Sequence, residues 1–353
     1  MSNKIKHIAV IRLSAMGDVA MTVPVIRAFV QQNPKVKITV VSRPFFQPFF
    51  NEIPNVNFFA VDVKGRYKGF FGLLKLYCDL KKLNIDAVAD LHNVLRSKIV
   101  RTMFAFSREK VAFTDKGRAD KKALTRSKNK IFEPIKSMVE RHVDTFKQLG
   151  FTVDLSHPNF PEKAILSNEI IQLSGEKHDD KWIGIAPFAQ YDSKVYPLDL
   201  MQQVIDDLAR SRILGMTNYK VFLFGGGKNE TEQLDSLAKG KNNCIVVAGK
   251  LTLEQEIILI SNLDIMLSMD SGNSHIAAML GIKVITLWGA THPFAGFRPF
   301  NQPIENCLIA DREKYPLLPT SIYGNKKVKG YEDVMRSISV ESVVAKMDLV
   351  LNN

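Results

Sequence analysis

Short apolar runs alternate along the whole chain with longer stretches in which apolar residues recur every three to four positions. Runs such as His7–Leu13 (HIAVIRL) and Asp86–Leu91 (DAVADL) show little polar alternation, which predicts strands buried on both faces, as in a parallel sheet. The same pattern predicts strands at Lys37–Ser42, Asn57–Val63, Trp182–Ala186, Lys220–Phe224, Cys244–Val247, Asp264–Ser268 and Lys283–Leu287, with helices between them. Lys68–Leu83 carries Phe71, Leu74, Tyr77 and Leu80 at the spacing of one helix face. Strand and helix in succession are the mark of βαβ units. The periodicity breaks at Ser156–Pro161 and at the polar Gly175–Lys181, which places a domain boundary between residues 155 and 180. The expected fold is therefore α/β: two Rossmann-like, doubly wound parallel-sheet domains facing a central cleft, the first over residues 1–170 and the second over residues 171–335. Val340, Val343, Val344, Met347 and Leu351 predict a closing helix within residues 336–353, expected to pack back across the interface between the domains.

Length agrees with this division, since 353 residues at 46% hydrophobic suffice for two cores. Charge adds something the pattern does not contain. The net charge is +12, but residues 1–150 hold 28 Lys+Arg against 12 Asp+Glu, net +16, and the remainder is net −4. The cysteines, Cys78, Cys244 and Cys307, are odd in number and widely spaced, which speaks against a disulfide framework and for a reducing, cytoplasmic setting. The longest uncharged run, Val284–Phe297, contains Gly and Pro and is shorter than the ~18 apolar residues of a spanning helix, and the segment after Met1–His7 is too charged for a signal peptide.

Four stretches carry candidate chemistry, each a strand running into a turn of small residues or a loop and then a helix. In Ile11-Arg-Leu-Ser-Ala-Met-Gly-Asp-Val19, Gly17 permits a tight turn and Asp18 lands at the helix start, either as a cap or as a general base at the cleft mouth. In Ser268-Met-Asp-Ser-Gly-Asn-Ser-His-Ile-Ala-Ala-Met-Leu-Gly281, Asp270 or Ser271 caps a helix and Gly272 lets a ligand approach its backbone. Free N–H groups at that terminus suit a diphosphate, with His275 beside it. Phe222-Leu-Phe-Gly-Gly-Gly-Lys-Asn-Glu230 satisfies neither the P-loop nor the G-x-G-x-x-G pattern, and serves equally as a plain turn or a ligand contact. Ala186–Pro197 places Lys194 just before a helix, suited to neutralising a phosphate. There is no D-x-D pair, no H-x-x-x-H or H-E-x-x-H spacing and no G-x-S-x-G elbow, so no metal site is expected and hydrolase chemistry lacks support.

The positive charge concentrates between Arg96 and Arg141, with 14 Lys+Arg against five acids, and in Lys64-Gly-Arg-Tyr-Lys68. Residues 116–130 have little apolar periodicity and are expected to form a mobile loop. The partner expected for both clusters is anionic. Sparse aromatics disfavour nucleic acid and leave a phosphorylated lipid headgroup on an inner membrane leaflet.

Taken in order, these motifs resemble glycosyltransferase family 9, the ADP-heptose:lipopolysaccharide heptosyltransferases. The likeness is carried by IRLSAMGDVAMTVP, the LRS of Leu95–Ser97, MVERHVDTFKQLG at Met138–Gly150, the loop ending Lys194-Val-Tyr-Pro197, and DSGNSHIAAMLG with the following WGATHP. Ala189 and Gln190 stand where that family carries small hydroxyl residues, and His292 where it carries an acid. The resemblance implies a GT-B fold whose closing helix packs back on the first domain, and an inverting, metal-independent transfer of heptose from ADP-heptose to the inner core of lipopolysaccharide, with no cofactor beyond the nucleotide sugar. It implies that Asp18 is the general base and that Lys194 stabilises the leaving diphosphate. Asp270, Ser271, Gly272 and His275 would hold the donor, with Glu230 at the nucleotide. Lys64, Arg66, Lys68, Arg96 and Arg118 would grip the phosphorylated lipid acceptor at the cytoplasmic face of the inner membrane. The competing expectations are a related transferase using a different nucleotide sugar, a sugar-nucleotide epimerase of the same fold, and a basic module binding an anionic polymer without catalysis.

Overall fold

A computed structural model describes residues 5–208 and 218–352. The chain divides into two compact units, Met1–Lys116 with Lys136–Phe160, and Gly117–Ile135 with Pro161–Asn353.

In the first unit, β1 (His7–Ile11), β2 (Lys37–Ser42), β3 (Val56–Ala60), β4 (Ala87–Asp90) and β5 (Lys110–Phe113) form one parallel sheet in the order β3-β2-β1-β4-β5. Ile8 lies opposite Ile38 on one side and Ala87 on the other, and Ile8 to Val10 are wholly buried, which is why this run lacks alternation. The connecting helices are α1 (Met16–Ala20), α2 (Val23–Gln32), α3 (Gly69–Lys81) and α4 (Leu95–Phe106). After them come α5 (Arg118–Thr125), which belongs to the second unit, and α6 (Met138–Gln148). Leu73, Leu76 and Leu80 of α3 and Val100 and Phe104 of α4 close over Ile11, Val41 and Val88. Phe29 of α2 meets Phe146 of α6 at a ring separation of 4.6 Å.

The second unit contains α7 (Asn168–Ser174), β6 (Lys181–Ala186), α8 (Leu198–Leu208), β7 (Tyr219–Leu223), α9 (Lys228–Ala238), β8 (Cys244–Val246), α10 (Leu253–Ser261), β9 (Ile265–Met269), α11 (Gly272–Met279), β10 (Lys283–Trp288), β11 (Cys307–Ile309) and α12 (Val340–Asn352). Its strands are again parallel, in the order β11-β10-β9-β6-β7-β8. Each sheet changes its direction of growth once, between β1 and β4 in the first unit and between β6 and β9 in the second. The loops leaving the carboxyl ends of those strand pairs diverge, and that is where open α/β sheets bind ligands.

Four expectations need correction. The strands β5 and β11 are absent from the apolar pattern because each is a short edge strand of three or four residues. Residues 118–125 form α5 instead of a mobile loop. Leu124 is fully buried there and Lys121 is buried with its ammonium 4.4 Å from the Phe297 ring centre, so a helix with few apolar residues still has an inward face. Gly117–Ile135, placed with the first domain by its position in the chain, belongs to the second unit, which also begins at Pro161, ahead of residue 171. The closing helix α12 packs on α8, β9 and β10 of the second unit, where the expectation set it on the first. Its Val340, Val343, Met347 and Val350 join the core containing Ile205 and Leu267, and Lys283 Nζ donates to the Val350 carbonyl at 3.1 Å.

Candidate functional site

The loop after β1 carries Asp18 into the first turn of α1, where Ala15 takes the N-cap position. Alanine has no side-chain acceptor, and the N–H of Ala15 itself donates to Asp18 Oδ2 at 3.2 Å. The same oxygen lies 2.7 Å from Arg12 Nη2. Arg12 is buried and also donates through Nη1 to the Leu91 carbonyl at 2.7 Å, which ties the ends of β1 and β4 together. Asp18 is thus both a cap, as its sequence position suggested, and one half of an ion pair.

Three residues that the sequence motifs did not single out, Arg43, Val63 and His92, follow the neighbouring strands β2, β3 and β4. Ser14, Arg43, Val63, His92, Leu95 and Arg96 are among the residues lining a cavity of about 390 Å³. Arg43 is held by its Nε donating to the Leu13 carbonyl at 2.8 Å. Burial first, and then the nearby Arg12 charge, push His92 down to about 3, so its imidazole is neutral. Asp90 lies fully buried at the end of β4, accepts from the His92 and Asn93 N–H groups and faces Arg101 Nη1 at 3.1 Å. Burial raises its pKa. Each of these lies at or just beyond the carboxyl end of β1, β2, β3 or β4; for Arg43, Val63, His92 and Asp90 that position was the one signal, while Ser14, Leu95 and Arg96 fall within stretches that carry the family resemblance.

The basic candidates separate. Lys64 is exposed on a turn held by the Asp62 carboxylate, which accepts from the Lys64 and Gly65 N–H groups at 3.0 and 2.9 Å. Arg66 is drawn onto α3 by Asp79 at 2.6 Å, and Lys68 is exposed at the N-cap of α3. Arg96 lines the cavity described above. Arg118 opens α5 and therefore belongs to the second unit, apart from the other four in the chain's division.

In the second unit, Lys194 ends the loop that leaves β6, and Asp270 directly follows β9, the partner strand at the change of direction. Lys194 Nζ lies 3.0 Å from Asp270 Oδ2, and Thr291 Oγ1 donates to that same oxygen at 2.9 Å. Two further contacts fix the lysine. Ser193 Oγ donates to the Gly324 carbonyl at 2.7 Å, and Gly324, with a φ of +84°, lies so close that a Cβ there would stand 2.6 Å from Lys194 Cδ. Ser271 is the N-cap of α11 by backbone, but its hydroxyl pairs with Ser268 Oγ at 3.1 Å and does not cap the helix. Gly272 opens the helix, and His275 is buried in its first turns. Glu230 folds back on its own glycine loop, accepting from Gly226 N at 2.7 Å, so its structural use is established by geometry. His292, whose side chain caps the turn that follows it by accepting from Phe294 N at 3.1 Å, is pushed down to about 4 by burial and by Arg312.

Two parallel sheets, each with charged groups gathered where its strand order reverses, place the chain in the class built of two Rossmann-like α/β units. Residues 73–325 match the family described as Glycosyltransferase family 9 (heptosyltransferase), and the chain belongs to that family. It is a glycosyltransferase of GT-B fold. The lipopolysaccharide core heptosyltransferase OpsX of Haemophilus influenzae is 25% identical over 97% of this chain and 96% of its own length. A glycosyl transferase family 9 structure from Veillonella parvula superposes with a TM-score of 0.74, covering 100% of this chain and 99% of that one at 21% identity. The E. coli heptosyltransferase WaaC with ADP covers 97% of both chains, with a TM-score of 0.64 and 21% identity.

Proposed function

We propose that this protein transfers heptose from ADP-heptose to a phosphorylated lipid acceptor, the inner core of lipopolysaccharide of the Kdo-lipid A type, at the cytoplasmic face of the inner membrane. Asp18 takes the proton of the acceptor hydroxyl, and the oxygen attacks the anomeric carbon from the face opposite the diphosphate. The bond from that carbon to the diphosphate breaks, ADP leaves, and the configuration inverts. Lys194 meets the charge that grows on the leaving group, while Asp270, Ser271, Gly272 and His275 hold the donor at the start of α11, and Glu230 lies near the nucleotide. No metal is required, because the lysine and the helix N-terminus supply the positive field. Lys64, Arg66, Lys68, Arg96 and Arg118 receive the acceptor's phosphates and acidic sugars.

The observation that carries this reading is the Lys194–Asp270 pair beside the first turn of α11, which fixes an ammonium next to free backbone N–H groups at the strand ends. Membership of the family and relatives named as heptosyltransferases support the choice of sugar. The test incubates the full chain with ADP-heptose, with and without Kdo-lipid A, and follows ADP release and the anomer formed. An inverted product that requires acceptor is expected, together with an Asp18→Asn variant that keeps ADP-heptose binding and loses on the order of 10²–10⁴ in rate. Conversion of the donor without acceptor identifies an epimerase instead, and near-normal turnover by Asp18→Asn removes the base assignment.

A further inference from the structure

Helix α3 has two apolar stripes where an ordinary surface helix has one. Leu73, Leu76 and Leu80 enter the core of the first unit. Phe70, Phe71 and Leu74 lie on the other side and are 61%, 83% and 42% exposed. The two rings pack edge to face, 5.9 Å between centres. Helix α4 packs beside α3, and its first residue, Leu95, is exposed as well. Both helices start at the carboxyl end of the same parallel sheet, because each follows a strand of it. A helix apolar all round is normally enclosed, and a clustered apolar face left in water marks a contact surface.

The charges around this face are of one sign. Residues 64–82 hold six Lys+Arg and a single acid, Asp79. Arg66 and Lys82 both bind Asp79, at 2.6 and 2.9 Å, which neutralises it. Lys64, Lys68 and Lys75 are exposed and have no ion-pair partner among the described residues. A second copy of the chain would bring these cations against their equals. An anionic bilayer satisfies both properties at once, taking the rings to the level of the headgroups and the ammonium groups to the phosphates.

We propose that the outer face of α3, led by Phe70, Phe71 and Leu74 and flanked by Lys64, Lys68 and Lys75, is the element by which the protein docks on an anionic membrane surface. This rests on the membrane location given under the proposed function and names the part of the chain responsible for it. It also gives the apolar residues of α3 a use separate from acceptor recognition.

The full chain is sedimented with phosphatidylcholine vesicles, with and without a quarter of phosphatidylglycerol. Binding is expected to be on the order of a hundredfold stronger with the anionic lipid, at roughly fivefold per lysine. The double variant Phe71→Ser with Leu74→Ser is expected to lose about tenfold per side chain. In a second measurement, Phe71→Trp adds an exposed indole to a protein whose two tryptophans, Trp182 and Trp288, are both fully buried, and its emission is expected to shift to the blue on adding anionic vesicles. Equal vesicle binding by wild type and double variant, with no shift at position 71, overturns the role of α3 and leaves the membrane location standing. Failure of the wild type to bind anionic vesicles overturns both. A concentration-dependent dimer that the double variant abolishes, without vesicle binding, makes the face a contact between copies and overturns the proposal.

Discussion

Replacing Asp270 with asparagine tests whether the pair at α11 is held as the structure has it. The side chains of Lys194 and Asp270 are only 12% and 8% exposed and stand 3.0 Å apart. At an effective dielectric of about 20, two unit charges at that distance attract by roughly 5 kcal/mol, most of which offsets the cost of removing them from water. Asparagine keeps an oxygen for Thr291 but leaves the ammonium without a counter-charge. Loss of one partner of a buried pair costs about 3–5 kcal/mol, and the residual exposure sets this case near 3 kcal/mol. For a unit of about two hundred residues this lowers the melting temperature by roughly 6–12 °C. Trp182 and Trp288 are both buried in the second unit, so urea unfolding followed by tryptophan fluorescence reads that unit directly. Adding Lys194→Met removes the stranded charge, and the double variant is expected to recover about 2 kcal/mol or more relative to additivity. A single variant within about 0.5 kcal/mol of wild type, or additive effects in the double-mutant cycle, would refute the argument.

Other expectations follow from individual contacts. His142 is fully buried with neither ring nitrogen bonded among the described residues, and burial pushes it down to about 3. The unfolded chain therefore binds a proton near pH 6.5 that the folded chain refuses, so stability falls as pH drops below that value. Between about pH 7 and pH 5 this group alone accounts for roughly 2 kcal/mol, which His142→Leu should remove from the acid loss measured by urea titration at the two pH values. Gly324→Ala places a methyl group against the Lys194 stem at a φ of +84°, and tenfold or greater loss of transfer is expected with the first unit's unfolding unchanged. In urea unfolding followed by far-ultraviolet circular dichroism, which reads both units, Leu73→Ala should destabilise by about 2–5 kcal/mol, while Leu74→Ala, one residue on, should change stability by less than about 0.5 kcal/mol.

That last contrast shows where pattern stops being enough. The apolar spacing of Lys68–Leu83 located α3 and grouped Phe71, Leu74, Tyr77 and Leu80, but of these only Leu80 enters the core and Tyr77 packs against it, because a second apolar stripe through Leu73 and Leu76 is the buried one and composition cannot rank the two. Nine of the strands were legible: the interior strands have few polar positions to obscure them, and the edge strands β3 and β8 carry or adjoin the apolar runs Phe58–Val61 and Cys244–Val247. The edge strands β5 and β11 were not, being short and bounded by charge or proline. The turns that bring Asp18, Lys194 and Asp270 to the strand ends were visible as small residues between strand and helix. Arg12, Arg43, His92 and Thr291 were not singled out, because each acts through a neighbour distant in the chain.

Sequence by itself determined the fold class, the order of nine of its strands and the positions of Asp18, Lys194 and Asp270 at strand ends, because local periodicity and turn chemistry act over a few residues. It also located an excess of positive charge in residues 1–150. Only the tertiary structure decided where that charge belongs. Gly117–Ile135 carries six basic residues to the second unit, and the split of +16 and −4 becomes +11 and +1. The same long-range packing placed α12 on α8 and turned Phe70 and Phe71 outward. Which neighbour buries a residue depends on surfaces assembled from distant segments, and no window along the chain contains them.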